Sequence, residues 1–496
     1  MGIKMRSNPS ENVNLTLMLL ITLFVGLVYA YIITNGDMNL FTKEIMGVHY
    51  TNSWDNLLKG RYDLDRSILG GEVYYRNEKA YMYFGLFPSL LRGFIELFFK
   101  RGDTDWSRIS VLIAAILIFV SCTTAYYKMT LKVKSPRAVG YFYTVLFGLT
   151  IAFGSPVMHL LSSAFIYHEA IIWGLSWSCV FIWAFVTLTC SKSLDAKILF
   201  VLSISAGFAL LSRTSFGTII IAHCILVLII IANKFRKSCP GFLKIDNSKS
   251  ALMFSAAIVP LVLCICFAMK VNFERWRNPF CFCDYRYYEA SIANPPRLEA
   301  FQKSGGFLNI LRIPHGFVYY FIPHKNHFLN KFPYINVAGY ENIYNFKDIH
   351  FDWRENGNPL TLHSPCLLFL ALVGIFSYTR AFGLLGLLPL ASFLIQVIYI
   401  LGYCCNTLRY SPEFMPLLVI CSISSFQIFL SLHKRSLTSG LVSCLILLFL
   451  TLVGMYSASA TMLQQKLNTW GVPGPPKENI KLLFDKINHL LYDTLD

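Results

Sequence analysis

The sequence predicts an all-α polytopic membrane protein, and three features indicate this class. Of its 496 residues, 55% are hydrophobic and only 14% are charged, whereas soluble globular proteins carry roughly 25% charged residues. Apolar runs of about 20 residues, enough to cross the ~30 Å hydrocarbon core of a bilayer as a helix, recur along the chain. The net charge of +16 is typical of membrane proteins with basic cytoplasmic loops. No basic run with interleaved aromatic residues is present, so we exclude nucleic acid as a partner.

The apolar runs predict about eleven transmembrane helices, most of them bounded by charged or turn-forming residues. The first run is too long for the core of a signal peptide and lacks a small-residue cleavage site, so we expect it to remain as a span. The predicted spans are 13–34, 109–128, 139–156, 165–190, 198–212, 216–232, 251–271, 364–379, 382–402, 413–431 and 437–457.

The distribution of Lys and Arg predicts the orientation of these spans. Cytoplasmic connections are enriched in Lys and Arg, and the connection at 234–249 alone carries five of them. If the N-terminus is cytoplasmic, the short outer connections carry only Arg213 and Arg409. This asymmetry places two long loops, residues 35–108 and 272–363, on the outer face.

Two further segments depart from the alternation of spans and short connections. Residues 80–99 are apolar but are interrupted by Gly85 and Pro88, so we interpret them as an interfacial or re-entrant helix pair. Residues 458–496 are predicted to form a short outer-face tail that ends in an amphipathic helix. The chain thus divides into a transmembrane domain of residues 1–457 and this tail.

Four carboxylates are candidates for chemistry. Asp37, Asp55 and Asp63 lie in the long first outer loop, where a carboxylate can take a proton from a reacting hydroxyl. Each of them could equally be a solvated loop charge. Glu169 lies at the outer end of the fourth span, and ionisable groups in spans usually mark functional cavities. The alternative is an interfacial carboxylate that reaches water.

Three arginines on the predicted outer face are candidates for binding an anion. Arg213 and Arg409 lie at the outer ends of spans, against the usual bias of basic residues, and Arg286 is flanked by tyrosines in the second long loop. A guanidinium group suits a phosphate or pyrophosphate because it donates two parallel charge-assisted hydrogen bonds. The alternative for each is a side chain that reaches the lipid headgroups.

The order of these parts resembles the GT-C superfamily, the integral-membrane glycosyltransferases that use polyprenyl-phosphate sugars. The resemblance covers most of the chain as architecture: a cytoplasmic N-terminus, a long acidic first outer loop, about eleven spans and a second long outer loop. At the level of motifs, bacterial multi-spanning proteins grouped with these enzymes are similar at Gly60-Arg61-Tyr62-Asp63-Leu64, Tyr81 to Pro88, Tyr167-His168-Glu169-Ala170, Ser212-Arg213-Thr214 and Asp284-Tyr285-Arg286-Tyr287.

This resemblance implies an enzyme that moves a hexosyl or pentosyl group from a polyprenyl-phosphate donor to a glycan, lipid or protein acceptor on the outer (periplasmic or luminal) face. In the superfamily the catalytic base is an Asp or Glu of the first outer loop, often close to the first span. Asp37 matches that placement best and Asp55 next. The Asp-Asp or Asp-Glu pair common in the family is absent from this loop, so the identity of the base stays open.

The resemblance also implies a location and a set of partners. We expect a multi-pass protein of a bacterial inner membrane, surrounded by membrane lipids, with its C-terminus outside. No metal-ligand spacing predicts a cofactor, and a divalent metal stays open. Two rival classes remain: a transporter or lipid flippase, which would need polar mid-span residues such as His223 and Gln396, and a non-catalytic scaffold with a GT-C-like fold. In an enzyme, loop aromatics would stack on sugar rings, among them Trp54, Tyr83 and Trp276.

Overall fold

The structure, a computed structural model, describes residues 9–68, 72–99, 104–132, 137–191, 194–238, 247–338, 349–383, 386–468 and 474–492. Helices dominate the described chain, and they are α1 (Pro9–Ile33), α2 (Val48–Leu58), α3 (Phe87–Glu96), α4 (Ser107–Thr130), α5 (Arg137–Phe153), α6 (Val157–Leu160), α7 (Ile166–Cys190), α8 (Ala196–Ser212), α9 (Thr214–Ser238), α10 (Asn247–Trp276), α11 (Glu289–Ala293), α12 (Pro295–Lys303), α13 (Ile313–Phe321), α14 (Leu360–His363), α15 (Pro365–Phe382), α16 (Leu387–Leu401), α17 (Met415–Arg435), α18 (Leu437–Asn468) and α19 (Gly474–Tyr492). The strands are β1 (Tyr74–Arg76), β2 (Lys79–Tyr81), β3 (Trp353–Arg354) and β4 (Cys405–Asn406).

The structure confirms the predicted fold class, which is an all-α polytopic membrane protein. Within the described residues, the helical stretches long and apolar enough to cross a membrane are Ser107–Thr130, Ala138–Leu160, Ile166–Cys190, Leu252–Trp276, Pro365–Phe382, Leu408–Arg435 and Leu437–Asn468. Four shorter apolar helices are Met18–Ile33, Ala196–Ser212, Thr214–Ile230 and Leu387–Leu401. Every predicted span falls on one of these stretches. Helices α8 and α16 have 17 and 15 residues, or at most roughly 26 Å, which is less than the ~30 Å core, whereas α1 and α9 have 25 residues each. The count of eleven spans therefore stays a prediction.

Two helix boundaries bear on the interpretation of individual segments. Helix α3 has ten residues, about 15 Å, so it is too short to cross a bilayer, in keeping with the interfacial or re-entrant interpretation of 80–99. Helix α18 continues to Asn468, beyond the predicted end at 457. The reason is that residues 458–468 contain no Gly or Pro that would end it.

The two long loops contact each other at one end of the helical bundle. Strands β1 and β2 form a hairpin in the first loop, and Tyr74 of that hairpin forms a bridge with Tyr288 of the second loop. Strand β3 of the second loop pairs in parallel with β4 of the connection between α16 and α17, where Trp353 lies opposite Cys405. These contacts bring both loops and this short connection to a single face of the bundle.

Helix α7 joins this face to the core of the bundle. It packs against α4, α8 and α9 along its length, and its first turn, from Ile166, reaches the loops. The first loop also touches the end of α8 closely. A Cβ atom on Gly85 would lie 2.1 Å from the carbonyl oxygen of Leu211, so only glycine permits this approach. Arg213 follows two residues later and is held beside the loop.

Candidate active site

A cavity of about 1050 Å³ lies where the loops meet the helices. Both long loops line it, together with the first turn of α7, the connection between α8 and α9, and the 3₁₀ segment Leu408–Phe414. Its lining is rich in aromatic side chains, and its charged members are Glu72, Arg213, Arg297, Asp352, Glu355 and Arg409. The size is that of a typical small-molecule site, which spans ~300–1,000 Å³.

Two of the three predicted anion-binding arginines line this cavity. The guanidinium carbons of Arg213 and Arg409 lie 4.9 and 5.9 Å from the centre of the Tyr410 ring. Arg409 also lies 4.4 Å from the centre of the Tyr167 ring. Their side chains are 15% and 22% exposed. The two guanidinium groups therefore lie against one aromatic ring and open to the same cavity, where they can donate hydrogen bonds to an anion although each also has a carboxylate partner.

A buried carboxylate holds Arg213 in place. Glu413 is fully buried and accepts a 2.6 Å hydrogen bond from Nε of Arg213. It also accepts hydrogen bonds from the hydroxyl of Ser215 at 2.7 Å and from Nε2 of Gln396 at 3.0 Å. Because Glu413 bonds Nε, the two terminal nitrogens of Arg213 are the ones that would donate to an anion in the cavity.

Glu72 is the carboxylate of the first outer loop that lines the cavity. It accepts a 3.3 Å hydrogen bond from the hydroxyl of Tyr288, and Tyr167 is another polar neighbour. Burial raises the pKa of Glu72 above its ordinary value of 4.5, and Tyr167 and Arg409 offset only part of this increase. An enclosed carboxylate with a raised pKa is a better proton acceptor than a solvated one.

The other two carboxylates of the cavity are engaged in ion pairs. Asp352 accepts two hydrogen bonds from Arg297, at 2.6 and 2.9 Å, and one from the hydroxyl of Tyr285 at 2.7 Å. Burial alone would raise the pKa of Asp352, but these bonds outweigh it and lower the pKa. Glu355 lies 3.1 Å from Nη1 of Arg409. Both groups are therefore better suited to positioning arginines than to taking a proton.

The carboxylates predicted from the sequence lie away from the lining of this cavity. Asp37 is 56% exposed and lies 3.6 Å from Arg108. Asp63 is paired with Arg61 at 2.7 Å, and Asp55 is half-buried in α2. The structure therefore does not bring these acids to the two arginines, and their catalytic roles stay predictions.

Glu169 lies in a buried ion pair. Its two carboxylate oxygens accept hydrogen bonds of 2.6 and 2.9 Å from Arg92 of α3, and both side chains are at most 1% exposed. This pair ties the first outer loop to α7. The geometry is that of a structural contact, because neither oxygen lines the cavity.

Of the remaining predicted binding residues, Tyr83 lines the cavity and the others lie outside its lining. Arg286 is 68% exposed, pairs with Asp284 at 2.6 Å and lies outside the cavity lining. Among the aromatics predicted to stack on sugars, Tyr83 lines the cavity. Trp276 is buried beside the β1–β2 hairpin, and Trp54 packs against Gly93.

Several residues at or beside the cavity are not among the predicted site residues, although the sequence around some of them indicates a functional position. Glu413 stands at the start of a predicted span, where an ionisable residue is costly and informative. Glu72 stands between Gly70-Gly71 and a tyrosine-rich strand, a pattern that predicts a turn into a hairpin. Asp352 and Arg297 had no such signal, because 55 residues separate them. In the described chain, no group of three His, Cys, Asp or Glu side chains is placed to hold a metal ion.

Comparisons with known proteins found likenesses among solved structures. No protein-family model and no curated protein sequence matches the chain. Among solved structures, the apo oligosaccharyltransferase of Archaeoglobus fulgidus is similar with a TM-score of 0.50 and 13% identity over 94% of this chain. The same organism's oligosaccharyltransferase AglB, solved with an inhibitory peptide and a dolichol-phosphate, gives 0.47 and 14% over 94%. ArnT from Cupriavidus metallidurans, bound to undecaprenyl phosphate, gives 0.39 and 13% over 91%.

The first of these likenesses defines the class of fold. This chain spans 59% of the length of either archaeal structure and 77% of ArnT. At 13% identity the likeness concerns the course of the backbone. The protein is thus a multi-pass membrane protein with the fold of the GT-C glycosyltransferases.

Proposed function

We propose that the protein transfers a hexosyl or pentosyl group from a polyprenyl-phosphate donor to a glycan, lipid or protein acceptor. The observation that carries this proposal is a cavity where Arg213, Arg409 and the enclosed carboxylate of Glu72 lie together, at the place where two long loops close on a GT-C-like bundle. The arginines Arg213 and Arg409 bind the phosphate of the donor. Glu72 is the general base.

The proposed reaction is a displacement at the anomeric carbon of the sugar. The acceptor hydroxyl gives its proton to the Glu72 carboxylate while its oxygen forms the new glycosidic bond. The bond between the anomeric carbon and the phosphate oxygen breaks, and its electron pair leaves with the polyprenyl phosphate. Arg213 and Arg409 stabilise the negative charge that develops on this leaving group, by charge-assisted hydrogen bonds in an enclosed site.

We also propose that the cavity opens to the outer face, with the N-terminus in the cytoplasm of a bacterial cell. Helix α17 supports this orientation, because it begins at Met415 beside the cavity and ends with Lys434 and Arg435 at the other end of the bundle. Helix α4 likewise starts beside the first loop and carries Lys128 in its last turn. Basic residues thus lie at the end opposite the cavity, as expected for the cytoplasmic side.

The mid-span polar residues that a transporter would need have other contacts. Gln396 donates to the buried Glu413. His223 is surrounded by the rings of Phe181, Phe185 and Phe393. Neither lines the cavity, so the structure favours the transferase over the transport class.

Binding of undecaprenyl phosphate to the protein in lipid nanodiscs tests the proposal. Loss of a charge-assisted hydrogen bond costs about 1.5–3 kcal/mol, so Arg213→Ala and Arg409→Ala should each weaken binding by about 10- to 100-fold. Arg286→Ala removes the same charge from the surface and is the matched control. The proposal fails if the wild type shows no saturable binding, or if Arg286→Ala weakens binding as much as the other two.

A further inference from the structure

We propose that His159 and His168 form the part of the cavity that binds the hydroxyl groups of the donor sugar. This inference rests on the proposed function and adds residues that recognise the sugar. His159 lies in the short helix α6, and His168 lies in the first turn of α7. Their rings are 5.1 Å apart, and both side chains line the cavity.

The first argument is that the side chain of His159 is buried without a hydrogen-bond partner. Its side chain is 1% exposed, and neither ring nitrogen has a hydrogen-bond partner. A buried polar group without a partner is costly, and most such groups in folded proteins are bonded to protein, water or ligand. Its neighbours along α6, including Val157, Met158 and Leu160, are buried apolar residues. An apolar side chain would therefore suit position 159 unless a ligand uses the imidazole.

The second argument is the orientation of His168. Its Nδ1 atom lies 2.9 Å from the carbonyl oxygen of Ser163. A carbonyl oxygen can only accept, so this bond places the proton on Nδ1 and leaves Nε2 as an acceptor. Together the two neutral rings offer donors and acceptors in one place. A sugar hydroxyl both donates and accepts, whereas a phosphate oxygen only accepts and a lipid chain does neither.

The third argument is position. Tyr167, the residue before His168, packs under the guanidinium of Arg409 at 4.4 Å and is a neighbour of Glu72. In a polyprenyl-phosphate sugar the sugar ring is bonded directly to the phosphate. A phosphate held at Arg409 therefore brings the sugar beside the first turn of α7, which carries His168 and packs against α6.

Another histidine provides a matched control. His223 is also fully buried, and both its ring nitrogens lack a partner. However, it is enclosed by phenylalanine rings and does not line the cavity. If a missing partner merely reflected a buried histidine, substitution at His159 and at His223 would have the same effect on ligand binding.

The test compares two kinds of probe on the full-length protein in nanodiscs. One is undecaprenyl phosphate, and the other is undecaprenyl phosphate bearing glucose, mannose, galactose or arabinose. The wild type should bind at least one sugar-bearing lipid more tightly than the bare lipid. His159→Phe should weaken binding of that lipid by about tenfold, the value of one to two hydrogen bonds, and leave binding of the bare lipid unchanged. His159→Gln keeps a donor and an acceptor and should retain most of the affinity, and His223→Phe should change neither value.

The outcomes separate the two proposals. If the wild type does not bind undecaprenyl phosphate, the proposed function fails. If it binds the bare lipid but no sugar-bearing lipid more tightly, or if His159→Phe weakens both probes equally, the sugar-binding inference is wrong and the proposed function stands. Thermal unfolding identifies a variant that fails to fold. In that case His168→Phe replaces it with the same expected loss, and an unchanged preference for the sugar-bearing lipid overturns the inference.

Discussion

The ion pair between Arg92 and Glu169 gives the sharpest test of whether Glu169 is structural or catalytic. Both carboxylate oxygens accept from Arg92, and both side chains are buried. Glu169→Gln keeps the size of the side chain but leaves the Arg92 charge without a counterion. Removing one partner of a buried pair typically costs 3–5 kcal/mol. Arg92 would retain hydrogen bonds to the carbonyl oxygen of Pro88 and the hydroxyl of Ser107. These neutral acceptors moderate the loss, so we expect about 3 kcal/mol.

The assay compares the free energy of unfolding of single and double variants in detergent, with sugar transfer measured in parallel. Glu169→Gln should lower stability by about 3 kcal/mol, which is a large share of a typical 5–15 kcal/mol. The double variant Arg92→Met with Glu169→Leu removes both charges and should recover most of this loss, because apolar replacements of buried pairs are often neutral. Transfer by the folded fraction of Glu169→Gln should stay close to wild type. If Glu169→Gln is as stable as wild type and transfer falls by ~10²–10⁴-fold, Glu169 is catalytic and the structural assignment is refuted.

Three further predictions follow from the contacts. Glu72→Gln should lower transfer by about 10²–10⁴-fold with donor binding retained, and equal transfer by the variant would contradict the role of Glu72 as base. Wild-type transfer should rise with pH through a midpoint above 4.5, because burial raises the Glu72 pKa. Asp352→Asn should cost about 2 kcal/mol of stability at pH 7, because it removes the negative charge and replaces one of the two oxygens that accept from Arg297 with a donor. Since the pKa of Asp352 is lowered in the folded protein, this stabilisation is present above about pH 4 and is lost as pH falls further. Thermal unfolding between pH 7 and 3 measures it. Cysteine labelling with an impermeant reagent should modify Lys303→Cys in intact cells and Lys434→Cys only after permeabilisation; the reverse pattern would invert the topology.

The fold could be predicted because its main determinant is local. Each apolar run is contiguous in sequence, and each became one helical stretch of the bundle. The meeting of the loops at 35–108 and 272–363 could also be predicted, because the number of spans between them and the distribution of charge put both on one face. Arg213 and Arg409, two of the arginines predicted from the sequence as candidates for binding an anion, both line the cavity. Their phosphate-binding role stays a prediction.

The partners of these arginines could not be predicted, because ion pairing depends on tertiary contacts. Arg213 and Glu413 are 200 residues apart, and Arg92 and Glu169 are 77 apart. Glu169 shows how such a contact changes the role expected of a residue from its sequence position. A carboxylate at a span end suggests a functional cavity, whereas its bonds to a buried arginine that lies far away in sequence favour a structural role for the same residue.

Contacts with residues far away in sequence also decide which acid of the first outer loop is the best candidate for the base. Proximity to the first span favours Asp37, yet its position there is explained by Arg108, and its side chain is mostly exposed. Glu72 is enclosed by Tyr167 of α7 and by Tyr288, which is 216 residues away. A general base needs a raised pKa and a reacting hydroxyl held beside it, and both come from enclosure. The base of this protein should therefore be sought where both loops close on α7, and Asp37→Asn should leave transfer within about threefold of wild type. A loss larger than that of Glu72→Gln would return the role to Asp37.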